Sequence, residues 1–197
     1  MSASPKHHKA IVDAAVTLFR RKGYSGTGLA DLVSLSGAPR GSLYHFFPDG
    51  KTSIAEAAVR EAGQRVFATI EGLAKDAGST GELLCEHAKL LAGWMEKSGY
   101  RDGCPITTVL LEMAPDDALI TEAGREAYSA RVRALSARLV IDGFSPERAY
   151  RLAILSSAAL QGALIQARVE RSGAPIVIAA EELAEMFAHE ALAIRET

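Results

Sequence analysis

The chain has 197 residues, 48% of them hydrophobic, and its 22 Lys/Arg against 24 Asp/Glu leave a formal charge of −2. That is enough apolar material for one large or two small domains with a real core, while ordinary Gly and Pro levels exclude a collagen-like or low-complexity chain. Two cysteines, Cys85 and Cys104, are too few for a disulfide scaffold. The charge is unevenly spread: residues 1–51 hold seven Lys/Arg and three Asp, so a basic head precedes an acidic body. Such asymmetry suits a polyanion partner at one end only.

In chain order, "MSASPKHHKA" has no apolar run of the kind a signal peptide carries, which points to a reducing, cytoplasmic setting. Ser4-Pro5 reads as an N-cap followed by proline at the first helical position, and Gly23 as a stop. Ile11, Ala15, Leu18 and Phe19 between them lie at helical spacing. "TGLADLVSLSG" predicts a shorter second helix with Leu29, Leu32 and Val33 inward, and a third is expected from Pro39 to about Phe47. A long pattern then runs from Lys51 to about Ala77. "STGE" at 79–82 reads as a capping box opening a helix that closes near Gly99. Pro105 and Pro115 bracket a short helix, and Asp116 to Ile141 predicts a long one. Ser145-Pro146-Glu147 caps the next, which Gly173 is expected to end, and a last helix follows Pro175. The longest uncharged run, Leu152 to Ala167, falls short of the ~20 residues that span a bilayer, so no membrane partner is expected. The whole reads as all-α, nine helices and no sheet.

The segment "GAPRGSLYHFFPDGK", residues 37–51, packs the most chemistry into the least length. In a helix from Pro39, the residues Leu43, Phe46 and Phe47 form an inward stripe at i, i+3 and i+4. Arg40, Ser42, Tyr44 and His45 then face outward, and Gly41 leaves the backbone approachable. Gly37 suits a left-handed turn residue. Two short helices joined by a Gly-containing turn make a helix-turn-helix, whose second helix enters a DNA major groove. Arg40 can fork onto guanine O6 and N7; Ser42 and His45 can meet base edges or phosphates, and Tyr44 a phosphate or a thymine methyl. Thr27 and Lys51, at helix openings, are candidate phosphate contacts.

"KAIVDAAVTLFRRKGYSGTGLADLVSLSGAPRGSLYHFFPDGK" resembles the N-terminal DNA-binding domain of the TetR family of transcriptional regulators over residues 9–60. The shared pattern is a helix ending in "LF..+GY", a Thr opening the second helix, a Gly turn, and then "g.lY.hF..K". The variant "PRGSLYHFFPDGK" and the later "GCPI" resemble the LmrA/YxaF-like branch. The resemblance implies an all-helical homodimer, with a DNA-binding domain at 1–50 and an effector-binding and dimerisation domain at 51–197. It assigns phosphate contacts to Thr27, Tyr44 and Lys51 and base reading to Arg40, Ser42 and His45. Pro39 stands where most members have Ser, and Asp49-Gly50 replaces a more usual Ser or Gly-Gly, which places a carboxylate near DNA.

The body is expected to do two jobs. Small residues between 156 and 163, including Ala159, Gly162 and Ala163, would let a helix come close, and Leu183, Phe187, Ala191 and Ile194 repeat at helical spacing. Paired across a two-fold axis these make a four-helix bundle, as the resemblance implies. Phe67, Trp94, Met95, Ile106, Leu110, Met113, Tyr128 and Gln161 are candidates to line a site for a small apolar or aromatic inducer. No cofactor or metal is expected: the five His show no ligand spacing, and Cys85 and His87 fall on different helix faces. Two alternatives remain. One is a thiol sensor on the same scaffold using Cys104, with Arg101 nearby to favour its thiolate. The other is a small-molecule-binding helical enzyme, for which no catalytic constellation is evident.

Overall fold

The computed structural model describes residues 4–195. Among them lie nine α-helices and no strand: α1 (Pro5–Lys22), α2 (Leu29–Ser36), α3 (Arg40–Phe46), α4 (Lys51–Leu73), α5 (Thr80–Lys97), α6 (Pro105–Met113), α7 (Ala118–Ile141), α8 (Pro146–Glu170) and α9 (Ala174–Arg195). The chain forms two compact units, one of residues 1–64 with 104–127 and one of 65–103 with 128–197, so α4 and α7 each contribute to both. The first unit is larger than the 1–50 segment read from the sequence, because α6 packs against α1.

In the first unit α1 is the central post, packing on α2, α3 and α6. Its buried face is Ile11, Val12, Ala14, Ala15, Val16 and Phe19. Leu32, Ala38, Leu43, Phe47, Ile54, Ala55 and Val59 are buried with it. Ser4 caps α1 by accepting from Lys6 N, and three basic residues in the last turn complement the helix dipole.

In the second unit α5 and α8 pack on α9 and on each other. The core gathers Leu83, Leu84, Met95, Leu135, Leu139, Phe144, Leu152, Leu160, Ile176, Leu183 and Phe187. Close approach is secured by Gly81, where an added Cβ would stand 2.9 Å from that of Ala184. Ser79 caps α5 by accepting from Glu82 N, while Glu82 reaches one residue further back than a capping box requires, to Gly78 N at 2.7 Å. Ser145 caps α8 as expected.

The expected end of α8 at Gly173 is corrected. The helix ends at Glu170, and the left-handed cap is Arg171, at φ 52°. The last two helices also differ from expectation: Leu183 and Phe187, read as a dimer face, are core residues of their own unit, as is Ala163. The first half of the α9 stripe, Leu183 and Phe187, serves the monomer, while Ala191 is half-buried and Ile194 exposed. The apolar residues left outside are Tyr150, Ile154, Leu155, Ile165 and Val169 on α8 with Ile178, Leu192 and Ile194 on α9. This surplus explains why α8 is, by length and composition, long and apolar enough to cross a bilayer, although 44% of its most apolar window is buried in the fold.

Candidate nucleic-acid interface

The turn between α2 and α3 is set by Gly37, whose left-handed φ of 63° costs glycine no strain and whose N–H closes α2 onto Val33 O. Upstream, Asp31 accepts from Gly28 N at 3.1 Å and pairs with Lys22 at 3.3 Å. The Gly28 hydrogen bond first, and then Lys22, hold its carboxyl below the ordinary Asp range. Pro39 precedes α3 without a side-chain cap, and the helix runs only from Arg40 to Phe46.

Arg40, Gly41, Tyr44 and His45 are exposed on α3. The Arg40 guanidinium lies 6.0 Å from the centre of the Tyr44 ring, one turn away, and His45 meets Phe46 edge-on at 5.1 Å. A Cβ on Gly41 would meet nothing within 4 Å, so this stretch of backbone stands open to a close partner. Together they present a guanidinium, a phenol and an imidazole on one short rigid element.

Ser42 departs from the expected outward face. It is buried, with Oγ 3.2 Å from His7 Nδ1. Ser42 and Phe46 are four residues apart and share a helix side, which in a seven-residue helix turns Ser42 to the flank facing α1. The neighbouring His8 stacks on Phe47 at 5.0 Å and meets Phe46 edge-on. The first turn of α1 thus buttresses the inner side of α3 with two histidines.

The two expected phosphate contacts at helix openings are engaged within the fold. Thr27 has no exposed surface and donates its hydroxyl to Gly23 O at 2.8 Å, closing the α1–α2 connection. Lys51 Nζ, half-buried, donates to Tyr24 O at 3.1 Å and Thr27 O at 3.2 Å and sits 4.1 Å from the Tyr24 ring centre. Two of its three donors are therefore committed, leaving one for a partner.

One residue was invisible in the sequence. Glu112 on α6 accepts from Tyr24 N at 2.7 Å and Ser25 N at 2.8 Å, one amide on each carboxylate oxygen. Burial alone would raise its carboxyl, but hydrogen bonds from Ser25 and Tyr24 and the charge of Lys51 bring it below the usual Glu value. Some 88 residues separate Glu112 from Tyr24, so no local pattern could signal the pair.

The expected effector residues divide between the units. Ile106, Leu110 and Met113 belong to the first; Phe67, Trp94, Met95, Tyr128 and Gln161 belong to the second. Ile106 and Met95 are buried, whereas Trp94 and Phe67 are exposed. Among the expected small residues of the pairing face, Ala159 and Gly162 line an open groove of about 480 Å³ between α8 and α9, with Ala158, Gln166, Pro175 and Ile178, and Ala191 is half-buried on α9. Cys104, which forms no disulfide, stands at the N-cap position of α6. Among the described residues no three His, Cys, Asp or Glu side chains gather as a metal cage.

Residues 11–58 match the model of the bacterial regulatory proteins of the tetR family, and residues 81–182 that of the C-terminal domain of the LmrA/YxaF-like transcriptional regulators. The HTH-type transcriptional regulator Rv0196 of Mycobacterium tuberculosis is 33% identical over 90% of this chain and 92% of its own. YxaF of Bacillus subtilis, also an HTH-type transcriptional regulator, is 28% identical over 93% and 96%. A crystal structure of a TetR transcriptional regulator from Legionella pneumophila superimposes with a TM-score of 0.81 at 16% identity, over 94% of this chain and 99% of that one.

Proposed function

This chain belongs to the TetR family of transcriptional regulators, with an LmrA/YxaF-like C-terminal domain, and we propose that it is a ligand-responsive repressor that binds a near-palindromic operator as a homodimer in the cytoplasm. The observation that carries the reading is the outer face of α3, where Arg40, Tyr44 and His45 are exposed beside an open backbone at Gly41. Arg40 reads a guanine, Tyr44 takes a phosphate or a thymine methyl, and His45 meets a base edge or phosphate. Lys51 adds a phosphate contact through its remaining donor. Thr27 and Ser42 act from behind, fixing the turn and the seat of α3 rather than touching DNA through their side chains.

Residues 1–50 do the reading, and 51–197 bind the effector and dimerise. The exposed apolar residues of α8 and α9 and the groove beside Gly162 suit a second copy, which covers the surplus that makes α8 so apolar. A two-fold pair presents two α3 helices to half-sites one DNA turn apart, ~34–36 Å. A small apolar or aromatic inducer favours a body conformation that no longer matches that spacing.

The test is sequencing of genomic fragments retained by purified protein at ~0.15 M salt, where nonspecific binding is weak. Enrichment of a near-palindrome that the Arg40→Ala protein fails to enrich is the expected result. A folded, dimeric protein that enriches nothing defeats the sequence-specific reading.

A further inference from the structure

Several arginines of this molecule, Arg138 largely buried and Arg148 and Arg60 more than a third exposed, are matched by carboxylates. In the second unit, Arg138 pairs with Asp142 and donates to Ala77 O, and Arg148 forms a two-pronged bridge to Glu190 with both contacts at 2.7 Å. In the first unit, Arg60 pairs with Glu56 and Glu126. Arg131 on α7 breaks the rule. It is only 7% exposed, yet among the described residues no carboxylate pairs with it, and its Nε has no hydrogen-bond partner. Its one hydrogen-bond acceptor is Ser157 Oγ on α8, 3.3 Å from Nη1, and its guanidinium lies 5.5 Å from the centre of the Tyr128 ring.

Two more polar groups share this place. Ser157 is buried, and its own hydroxyl proton is left to donate. His87 on α5 is equally buried at 7% exposure, and burial first, with the Arg131 charge second, pushes its imidazole down to about 4. It is therefore neutral at physiological pH and keeps one N–H to give. Three helices thus bring a full positive charge and two neutral donors into the interior of one unit, with no anion to match them. A neutral hydroxyl and an aromatic face do not offset the desolvation of a guanidinium; a carboxylate does, through paired N–H···O bonds.

We infer that Arg131, Ser157 and His87 form an anion subsite for the effector, which is an apolar or aromatic molecule carrying a carboxylate. This rests on the effector reading above and names the chemistry of its ligand. The carboxylate docks on the Arg131 fork, with Ser157 and His87 as further donors, and the Tyr128 ring flanks the guanidinium. An uncharged analogue of the same shape leaves Arg131 unpaired and binds more weakly.

The test uses the purified full-length protein and two probes of nearly equal shape, sodium benzoate and benzamide, each against sodium chloride at equal ionic strength. Benzoate is expected to raise the thermal midpoint of the wild type in a concentration-dependent way, as any ligand of the native state does, with benzamide giving a clearly smaller shift. Arg131→Met should melt no lower than the wild type, since it removes an unmatched buried charge, and should lose the benzoate shift. Arg131→Lys should keep part of it. Equal shifts for the two probes, no shift for benzoate, or a benzoate shift that survives in Arg131→Met each overturn the subsite. An Arg131→Met protein that melts several degrees lower assigns the arginine a structural role and overturns it as well. Operator binding measured in the same samples separates the two readings. Benzoate stabilisation through Arg131 without operator release upholds the anion subsite and defeats the inducer reading. Release by an uncharged aromatic compound in both wild type and Arg131→Met does the reverse.

Discussion

The two units spend their polar chemistry in opposite ways. The first engages the polar groups around its α1–α2–α3 connection at home: Thr27 on Gly23, Lys51 on two carbonyls, Glu112 on two amides and Ser42 on His7. What it leaves unspent, Arg40, Tyr44 and His45, is outside on α3. The second buries a charge that no carboxylate matches, Arg131, beside a neutral His87. A surface built to meet a large, hydrated polyanion keeps its charges wet until contact, because docking screened charges costs little. A site that selects one small molecule gains by holding its donors dry and preorganised. Under the proposed function, the placement of each unmatched charge follows the size of its partner.

The largest expected effect tests how far the first unit depends on its post. Phe19→Ala removes a side chain with no exposed surface from α1 and should cost about 3–5 kcal/mol, measured by urea denaturation. If the two units melt separately, only one transition should move.

Next comes the buried imidazole of the second unit. His87 ionises near 4 when folded against 6.5 for an ordinary His, so the unfolded state binds more protons between these values. Its contribution is present in full above pH 6.5 and is lost as pH falls towards 4, a difference of roughly 3 kcal/mol at most. Thermal midpoints across that window should fall for the wild type and fall less for His87→Gln. An identical pH profile for both would remove His87 from the comparison.

Arg40→Ala should weaken operator binding by about 1–3 kcal/mol, a loss of roughly five- to 150-fold, without lowering the melting temperature. Fluorescence anisotropy with an enriched fragment checks it, and a loss spread evenly over all DNA sequences would demote Arg40 to a phosphate contact. Glu112→Gln keeps the shape but lacks the charge that both amides of the α1–α2 connection meet, and should cost about 1–2 kcal/mol. Faster amide exchange at Tyr24 and Ser25 is the local readout. The smallest effect is a gain: Arg171→Gly relieves a left-handed arginine at the end of α8 and should stabilise the second unit by up to about 1 kcal/mol.

Helices with chemical punctuation were legible in the sequence. Ser4-Pro5, Ser79, Gly37 and Ser145-Pro146 each mark a terminus where a backbone N–H needs an acceptor or a turn needs positive φ, and the structure uses all four. The end of α8 was hidden because Arg171 adopts a glycine's conformation, while Gly173, two residues later, drew the expected stop. On α3, the exposure of Arg40, Tyr44 and His45 followed from the Leu43–Phe46–Phe47 stripe, but seven residues make too short a helix to place Ser42 on its flank. Leu183 and Phe187 show the limit of periodicity. Spacing says that a stripe is buried, and not whether the burying surface comes from the same chain. Glu112 and Arg131 depend on residues in other helices, and nothing in their own neighbourhoods announces it.

The Glu112 clamp grips main chain, which gives it an unusual genetic profile. Nearly any side chain at positions 24 and 25 still supplies an amide, so apart from proline no single change there removes an amide contact, although Ser25 also meets Glu112 through its side chain. On α6, by contrast, almost any replacement of Glu112 removes both contacts at once. The fragility of the carboxylate side is therefore concentrated in one codon, while the turn it holds has constraints of its own in the positive φ of Gly23, the buried Thr27 and the Tyr24 hydroxyl on Thr52.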